Sequence, residues 1–200
     1  MAGNRWTEKI EENAGHSDWY VERFRKMAAD GADLHGEARL VHAMVGRNSR
    51  VLDAGCGPGR VGGHLHELGH DVVGIDLDPV LIEAAELDHP GPTWLAADLS
   101  ELDLVALGVD PGFDVVVCAG NVMGFLDPTT RQQVLEHLAS TLADRGRIVT
   151  GFGSGGDYPF DEFFADVEAA GLTVELRLST WDLRPFTDGS DFLVAVLSKR

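Results

Sequence analysis

Three carboxylates at matching positions are the residues best suited to bind a polar ligand. Asp53, Asp76 and Asp98 each follow a short apolar segment that is typical of a buried strand. Because the carboxyl ends of parallel strands line the ligand crevice of an open α/β sheet, we expect these three side chains to converge on one edge. Carboxylates gathered there would accept hydrogen bonds from ammonium, hydroxyl or amine groups of a ligand.

Glycine recurs at every second position after the first carboxylate, in the segment DAGCGPGR over 53–60. Gly55 and Gly57 allow the backbone to take positive φ and to approach a ligand closely. The helix that begins near Arg60 directs its free N–H groups and the positive end of its dipole into the same space. An ordinary tight strand-to-helix connection also uses glycine, so the loop alone is a weak signal.

Alternating strands and helices must position these side chains. Asp78 can cap a helix with Pro79 at its first position, and Gly69 ends the helix before it. The two last strands are close in sequence, which predicts a hairpin and one antiparallel strand. The pattern predicts strands beginning at 51 and over 71–75, 94–98, 113–119, 146–151, 172–181 and 191–198, and helices over 60–68, 128–142 and 161–170 and from 78.

The N-terminal region does not share this alternation of strands and helices. Residues 1–15 are polar and aperiodic, which predicts an arm on the surface. Apolar residues at helical spacing then predict one helix from Ser17 to Gly31 and another from Gly36 to Val45. These two helices precede the first strand.

Composition bounds the class of protein. The 200 residues are 44% hydrophobic, enough for one sizeable core, and we expect one domain. With 16 basic and 33 acidic side chains the formal charge is −17, which would repel a phosphodiester backbone. The N-terminus lacks the apolar core of a signal peptide and no apolar run approaches the ~20 residues of a membrane span, so we expect a soluble, cytoplasmic chain.

Neither metal nor thiol chemistry finds strong support. His66 and His70 stand four apart, but no third ligand lies nearby in sequence, so we expect no metal site. Cys56 and Cys118 do not make a disulfide framework, and reduced thiols beside the ligand loop are expected.

The order of motifs VLDAGCGPGR, GIDLDP, AADL and FDVVVCAGN resembles that of the class I methyltransferases that use S-adenosylmethionine. The resemblance covers residues 50–151 motif by motif and the remainder only in layout. It implies an α/β, doubly wound, mostly parallel seven-stranded sheet with helices on both faces and a C-terminal antiparallel strand. It also implies a single domain over 1–200, with an N-terminal arm and covering helices (1–48), a cofactor-binding core (49–151) and a C-terminal helix and β-hairpin (152–200).

The resemblance assigns a protein group to each part of S-adenosylmethionine, beginning with the amino acid end. Gly55 and Gly57 would supply close backbone, with Cys56 between them. Asp53 would hold the ammonium directly or through water. The carbonyl of Ala119, where the fourth strand ends beside the loop, would take another ammonium proton.

The ribose and adenine ends would be bound at the next two strand ends. Asp76 would accept from both ribose hydroxyls; Asp78 is its rival, although it already has a capping role. Asp98 would accept from the exocyclic amine of adenine, the Leu99 N–H would donate to the ring, and Leu77 would lie against its face.

Three further side chains carry open alternatives. Tyr20 would wall the methyl-donor site, although aromatic residues at helical spacing more often pack in the core. Arg39 would pair with the methionyl carboxylate, or it is a solvated charge on a helix face. Asn121, the candidate catalytic side chain near the transferring methyl, is also half of a common Gly-Asn turn.

The activity expected from this reading is methyl transfer to a small-molecule acceptor by a monomer or homodimer, without nucleic acid or membrane partners. The connection over 181–190, with Arg184 and Phe186, is expected to face the acceptor, and an ordinary solvent loop is the alternative. Two other functions stay open: a nicotinamide-dependent oxidoreductase, and a noncatalytic protein that binds S-adenosylmethionine.

Overall fold

One seven-stranded sheet runs through the computed structural model, which describes residues 3–200. Its strands are β1 (Arg50–Ala54), β2 (Asp71–Asp76), β3 (Thr93–Ala96), β4 (Phe113–Cys118), β5 (Leu142–Gly153), β6 (Leu172–Leu178) and β7 (Phe192–Lys199). They lie in the order β3-β2-β1-β4-β5-β7-β6, and β7 is the one strand that runs opposite to the other six. The predicted mostly parallel sheet with a C-terminal antiparallel strand is confirmed.

Eight α-helices accompany the sheet among the described residues: α1 (Arg5–Glu12), α2 (His16–Ala29), α3 (Gly36–Met44), α4 (Arg60–Glu67), α5 (Pro79–Asp88), α6 (Val122–Phe125), α7 (Arg131–Thr141) and α8 (Phe160–Ala169). A short 3₁₀ helix covers Leu99–Glu101. No helix of residues 3–200 is long and apolar enough to cross a bilayer.

Side chains alternate along the strands and form two buried layers, one on each face of the sheet. Leu52, Val116 and Ile148 face α7 and α8, whereas Val51 and Val115 face α3 and α4. Both faces are therefore covered, which explains why the central strands are continuous apolar runs.

The crevice lies where the chain reverses its direction across the sheet. From β1 the chain proceeds outward through β2 to β3, and β4 then pairs with the other side of β1. In sheets of this kind ligands bind outside the carboxyl ends of the strands at such a switch point. Asp53, Asp76 and Asp98 all lie at this edge.

The prediction of a surface arm over residues 1–15 is wrong for the described part, since residues 5–12 form α1. The Asn4 side chain caps this helix by accepting from the Trp6 backbone N–H at 2.9 Å. Trp6 is only 9% exposed and packs against α2 and α5. Met1 and Ala2 lie outside the described residues. One buried indole therefore anchors a segment that otherwise reads as polar.

Candidate functional site

A cavity of about 490 Å³ opens at the switch point between β1 and β4. The glycine loop and the carboxyl ends of β1, β2 and β4 form its floor, and residues of α1, α2 and α6 form its cover. The predicted site residues that line it are Tyr20, Asp53, Gly55, Cys56, Gly57, Asp76, Leu77, Asp98, Leu99, Ala119 and Asn121.

Steric fit and backbone angle both require glycine in the loop. Gly55 has φ of +77°, and a Cβ added there would lie 2.4 Å from a methyl carbon of Val122. Gly59 has φ of +80°, and an added Cβ would lie 2.9 Å from the Cβ of Ala85. The loop is therefore packed against α5 and α6 with no room for a side chain at these two positions.

Asp53 is a buried carboxylate at the end of β1, with 2% of its surface exposed. Its Oδ2 accepts from the Gly62 N–H in the first turn of α4 at 2.8 Å. Burial raises the pKa of Asp53 to about 7, although the Gly62 hydrogen bond and the charge of Arg60 oppose this rise. A cationic ligand group beside Asp53 would favour its ionised form.

Asp76 is a second buried carboxylate, at the end of β2 and 8% exposed. The Gly57 N–H donates to its Oδ2 at 2.8 Å and the Asp78 N–H donates to its Oδ1 at 3.0 Å. Burial raises the pKa of Asp76 to about 6 against these hydrogen bonds. No Lys or Arg among residues 3–200 forms an ion pair with Asp53 or Asp76, so the cavity holds uncompensated acidic groups.

Asp98 differs from these two carboxylates because it is exposed at the rim of the cavity. Its Oδ1 accepts from the Ser100 N–H at 2.8 Å and thereby caps the 3₁₀ helix. Leu99 is buried behind it, and its carbonyl oxygen lies 3.0 Å from Nδ1 of His137 on α7. The third strand end is therefore fixed from both sides.

The two thiols are buried and free, as expected. Cys56 lines the cavity, while Cys118 ends β4. Burial raises the pKa of the Cys118 thiol to about 12 and that of Cys56 well above its usual value. Neither thiol is therefore a thiolate nucleophile near neutral pH.

Arg39 is not brought to the cavity. It is exposed on α3 and pairs with Asp33 at 2.7 Å. Arg60 lines the cavity instead, but both of its terminal nitrogens bind Glu37, at 2.6 and 2.9 Å, and one also donates to the Leu34 carbonyl.

Arg23 is the other cavity-lining cation, and no carboxylate of the described residues pairs with it. Its guanidinium carbon lies 5.8 Å from the ring centroids of both Trp19 and Phe24. Because Arg23 and Phe24 follow Tyr20 by three and four positions on α2, helical spacing alone could have found them. Arg23 is therefore a cavity-lining cation without an ion pair among the described residues, and the sequence analysis did not predict it.

Aromatic rings from three helices line the cavity opposite the carboxylates. The Trp6 ring lies edge-on to Tyr20 at 5.0 Å and to Phe125 of α6 at 6.0 Å between centroids. Burial raises the pKa of the Tyr20 hydroxyl, so it stays protonated near neutral pH. Trp6 was missed although Trp6 and Ile10 stand four positions apart and pack in one cluster, a helical spacing that could have found it. Phe125 was missed because it stands in a helix of only four residues, too short to show a period.

Asn121 lines the cavity and also shapes the turn after β4. It has φ of +66°, and its side-chain oxygen accepts from the Gly153 N–H of β5 at 2.8 Å. The turn role is therefore evident, and the residue also borders the space that a ligand would fill. Both alternatives that the sequence allowed are compatible with this geometry.

The connection over 181–190 does not line this cavity, contrary to the expected acceptor role of Arg184 and Phe186. The Phe186 ring packs edge-on against Phe160 at 5.6 Å between centroids. Arg184 is exposed, with Asp182 3.6 Å away. Its alternative, an ordinary surface connection, fits these contacts.

Comparison with known proteins identifies the family. The family model described as "Methyltransferase domain" matches residues 51–146. A crystal structure of a TehB-like SAM-dependent methyltransferase from Corynebacterium glutamicum is 46% identical, with a TM-score of 0.89, over 94% of this chain and 100% of that one. This chain belongs to the S-adenosylmethionine-dependent methyltransferases.

Curated relatives match this methyltransferase over shorter lengths. A ubiquinone biosynthesis O-methyltransferase of Xanthomonas euvesicatoria is 33% identical over 64% of this chain and 58% of its own length. A malonyl-[acyl-carrier protein] O-methyltransferase of Pseudescherichia vulneris is 33% identical over 44% of this chain and 36% of its own length. The chain thus spans between about a third and three fifths of these relatives. Family membership favours the methyltransferase reading over the nicotinamide-dependent oxidoreductase.

Proposed function

We propose that this chain transfers a methyl group from S-adenosylmethionine to a small-molecule acceptor. The observation that carries the proposal is the pair of buried carboxylates without an ion-pair partner, Asp53 and Asp76, beside a glycine loop that has no room for a side chain at Gly55 or Gly59. A ligand with an ammonium group and a ribose diol would add a positive charge and two hydroxyl donors to the backbone N–H groups that these carboxylates already accept from.

The amino acid end of the cofactor would be held at the carboxyl ends of β1 and β4. Asp53 would accept from the ammonium, and the Ala119 carbonyl would accept a second proton. Gly55, Cys56 and Gly57 would supply close backbone. For the methionyl carboxylate we replace Arg39 by Arg23, because Arg39 does not line the cavity and is already paired with Asp33, whereas Arg23 lines the cavity without a carboxylate partner among the described residues.

The nucleoside would lie along β2 and β3. Asp76 would accept from both ribose hydroxyls, and we prefer it to Asp78 because Asp78 does not line the cavity. Asp98 would accept from the adenine amine, the Leu99 N–H would donate to the ring, and Leu77 would pack on its face. Charge-assisted hydrogen bonds of this kind contribute about 1.5–3 kcal/mol each.

The acceptor compartment would lie between the methyl group and the rings of Trp6, Tyr20 and Phe125, with Asn121 as the nearest polar side chain. When bound, S-adenosylmethionine supplies an electrophilic methyl group on a sulfonium centre. The chain's part is to align and to exclude water: alignment of two reactants is worth on the order of 7–11 kcal/mol. The aromatic faces would stabilise positive charge next to them.

Calorimetric titration tests the cofactor assignment directly. S-adenosylmethionine and S-adenosylhomocysteine should bind with a stoichiometry of one, and NAD should give no saturable heat. Saturable NAD binding without a response to either methyl compound would refute the proposal.

A turnover assay with labelled methyl donor over a panel of metabolites separates the enzyme from a noncatalytic binder. The enzyme should release S-adenosylhomocysteine with at least one acceptor class. Location in the cytoplasm, the monomer or homodimer state and the absence of a nucleic-acid partner stay predictions from the sequence.

A further inference from the structure

Asp78 stands outside the cavity, yet it joins three helices and the neighbouring carboxylate. It is 2% exposed, and no Lys or Arg of the described residues forms an ion pair with it. Its Oδ1 accepts from the Val80 N–H and caps α5 at 2.9 Å. Its Oδ2 accepts from Nε1 of Trp6 at 2.9 Å and from Oγ of Ser17.

Capping of α5 needs only the first of these side-chain contacts. A cap usually stands at the surface, where water satisfies the second carboxylate oxygen. Here that oxygen is buried and is satisfied by α1 through Trp6 and by α2 through Ser17. A buried carboxylate without these two donors would be strongly destabilised, so one acceptor adds to the apolar packing and to the Arg25–Asp88 ion pair that hold α1 and α2 against α5.

The backbone of Asp78 carries the other half of the connection. Its N–H donates to Oδ1 of Asp76, the carboxylate assigned to the ribose, whose Oδ2 accepts from the Gly57 N–H. A continuous chain of hydrogen bonds therefore runs from the glycine loop through Asp76 and Asp78 to Trp6 and Ser17.

We propose that Asp78 is a positioning residue that couples cofactor binding at Asp76 to the docking of α1 and α2 over the acceptor compartment. Ribose binding fixes the Asp76 carboxylate, which fixes the Asp78 backbone and with it the acceptor for Trp6 and Ser17. The rings of Trp6 and Tyr20 are thereby held over the acceptor compartment when the methyl donor is bound. The inference rests on the proposed cofactor site, but it requires no knowledge of the acceptor.

Coupling between two sites is reciprocal, so a change that loosens the docking of α1 and α2 must also weaken the binding of the cofactor. Ser17→Ala is the decisive variant, because Ser17 is 3% exposed and does not line the cavity. It removes one donor and leaves Asp78 and its cap intact. Trp6→Phe removes the other donor and keeps most of the ring.

Matched controls make the same chemical changes away from Asp78. Trp181→Phe alters an indole that packs at Gly151 of β5 and does not line the cavity. Ser140→Ala removes a hydroxyl on α7 that donates within its own helix to the His137 carbonyl at 2.6 Å. Neither residue takes part in the proposed binding machinery.

Calorimetry and amide hydrogen exchange with S-adenosylhomocysteine give the two readouts. Ser17→Ala and Trp6→Phe should each raise Kd at least about fivefold, within the usual range for coupled sites, while both controls stay within twofold of the parent. Saturation with the ligand should slow exchange over 5–29 in the parent chain, and Ser17→Ala should lose most of this slowing while keeping it over 53–57.

A merely structural role would speed exchange in the free and bound states alike and would leave the ligand-induced difference unchanged. Coupling through Asp78 is overturned if Ser17→Ala binds within twofold of the parent and shows the parent's ligand-induced protection of 5–29. If the parent chain binds no S-adenosylhomocysteine, the cofactor proposal fails and this inference with it.

Discussion

Ionising Asp53 in the ligand-free protein costs free energy, because the side chain is buried and no Lys or Arg among residues 3–200 forms an ion pair with it. Its pKa of about 7 in the folded chain lies above the ~3.9 of an unfolded aspartate. The folded state thus binds more protons between these values, and stability falls as pH rises from about 4 to about 7. The loss is complete above pH 7.

Asp53→Asn should therefore stabilise the ligand-free protein at pH 8, by on the order of 1–3 kcal/mol, and change its stability little at pH 4. The same change should weaken the binding of S-adenosylmethionine, since its ammonium group would lose the carboxylate that accepts from it. Urea unfolding at both pH values measures the first effect and calorimetry the second. A variant that is less stable than the parent at pH 8 would contradict the claim that the ionised Asp53 side chain destabilises the ligand-free protein.

Donor affinity should itself depend on pH through Asp53 and Asp76. Both pKa values are raised in the free protein, to about 7 and about 6, whereas the ligand's ammonium and hydroxyl groups favour the ionised forms. Binding should release protons and weaken by up to about tenfold per pH unit between 7 and 6, and by up to about a hundredfold per unit below 6, where both groups are protonated. Titration in two buffers of different ionisation enthalpy measures that release; affinity that is flat from pH 5.5 to 8 would exclude these carboxylates.

Asp76→Asn tests the ribose assignment, with the free energy of unfolding measured alongside, because its amide nitrogen would face the N–H of Gly57 or of Asp78. It should raise the Kd for S-adenosylmethionine at least about tenfold, since one lost charge-assisted hydrogen bond is worth about 1.5–3 kcal/mol. Asp71→Asn is the control, because Asp71 stands at the other end of β2 with 68% of its side chain exposed. An Asp76 variant within twofold of the parent would refute the ribose role.

Among the elements, the strands, the central helices and α2 of the cover follow from the sequence, whereas α1 was not predicted. Alternation, caps and apolar runs predict β1 to β4 because each element carries its own signal. The docking of α1 depends on one indole that binds a carboxylate 72 positions away. No local pattern encodes such a contact, which is why a polar segment was expected to be an arm.

The same reason explains the misassigned arginine. Arg39 and Arg23 both lie on helices before β1, and spacing within α2 favours Arg23 beside Tyr20. What decides between them is that Arg39 is paired with Asp33 and does not line the cavity, whereas Arg23 lines it. Ion pairing across a loop depends on the tertiary structure. The sequence could therefore indicate Arg39 and Arg23 as candidates but could not decide which of them lines the cavity.

Packing of the C-terminal connection against β5 gives a prediction at the level of elements. A Cβ at Gly151 would lie 2.3 Å from Cζ2 of Trp181. Alanine usually stabilises a strand relative to glycine, but here overpacking should destabilise the fold by about 1–3 kcal/mol. Thermal or urea unfolding of Gly151→Ala measures the loss.

Two comparisons test the cause of that loss. Gly155→Ala should be close to neutral, because no atom lies within 4 Å of its added Cβ. In a Trp181→Leu background the cost of Gly151→Ala should shrink. An unchanged cost there would mean that Trp181 does not cover β5.

For the molecule as a whole, ligand linkage predicts a large thermal shift. S-adenosylhomocysteine at 100 times its Kd should add about 2.7 kcal/mol of stability. For a chain of 200 residues this corresponds to a rise in Tm of about 5–10 °C. NAD at the same concentration should leave Tm unchanged, and an equal shift with NAD would point to nonspecific stabilisation.

The most direct test of the account is a crystal structure of this chain with S-adenosylhomocysteine. We predict that both ribose hydroxyls lie within hydrogen-bond distance of the Asp76 carboxylate, that the ammonium lies beside Asp53 and the Ala119 carbonyl, and that Asp78 still binds Trp6 and Ser17. A ligand bound elsewhere, or a ribose held by Asp78 with the cover displaced, would contradict it.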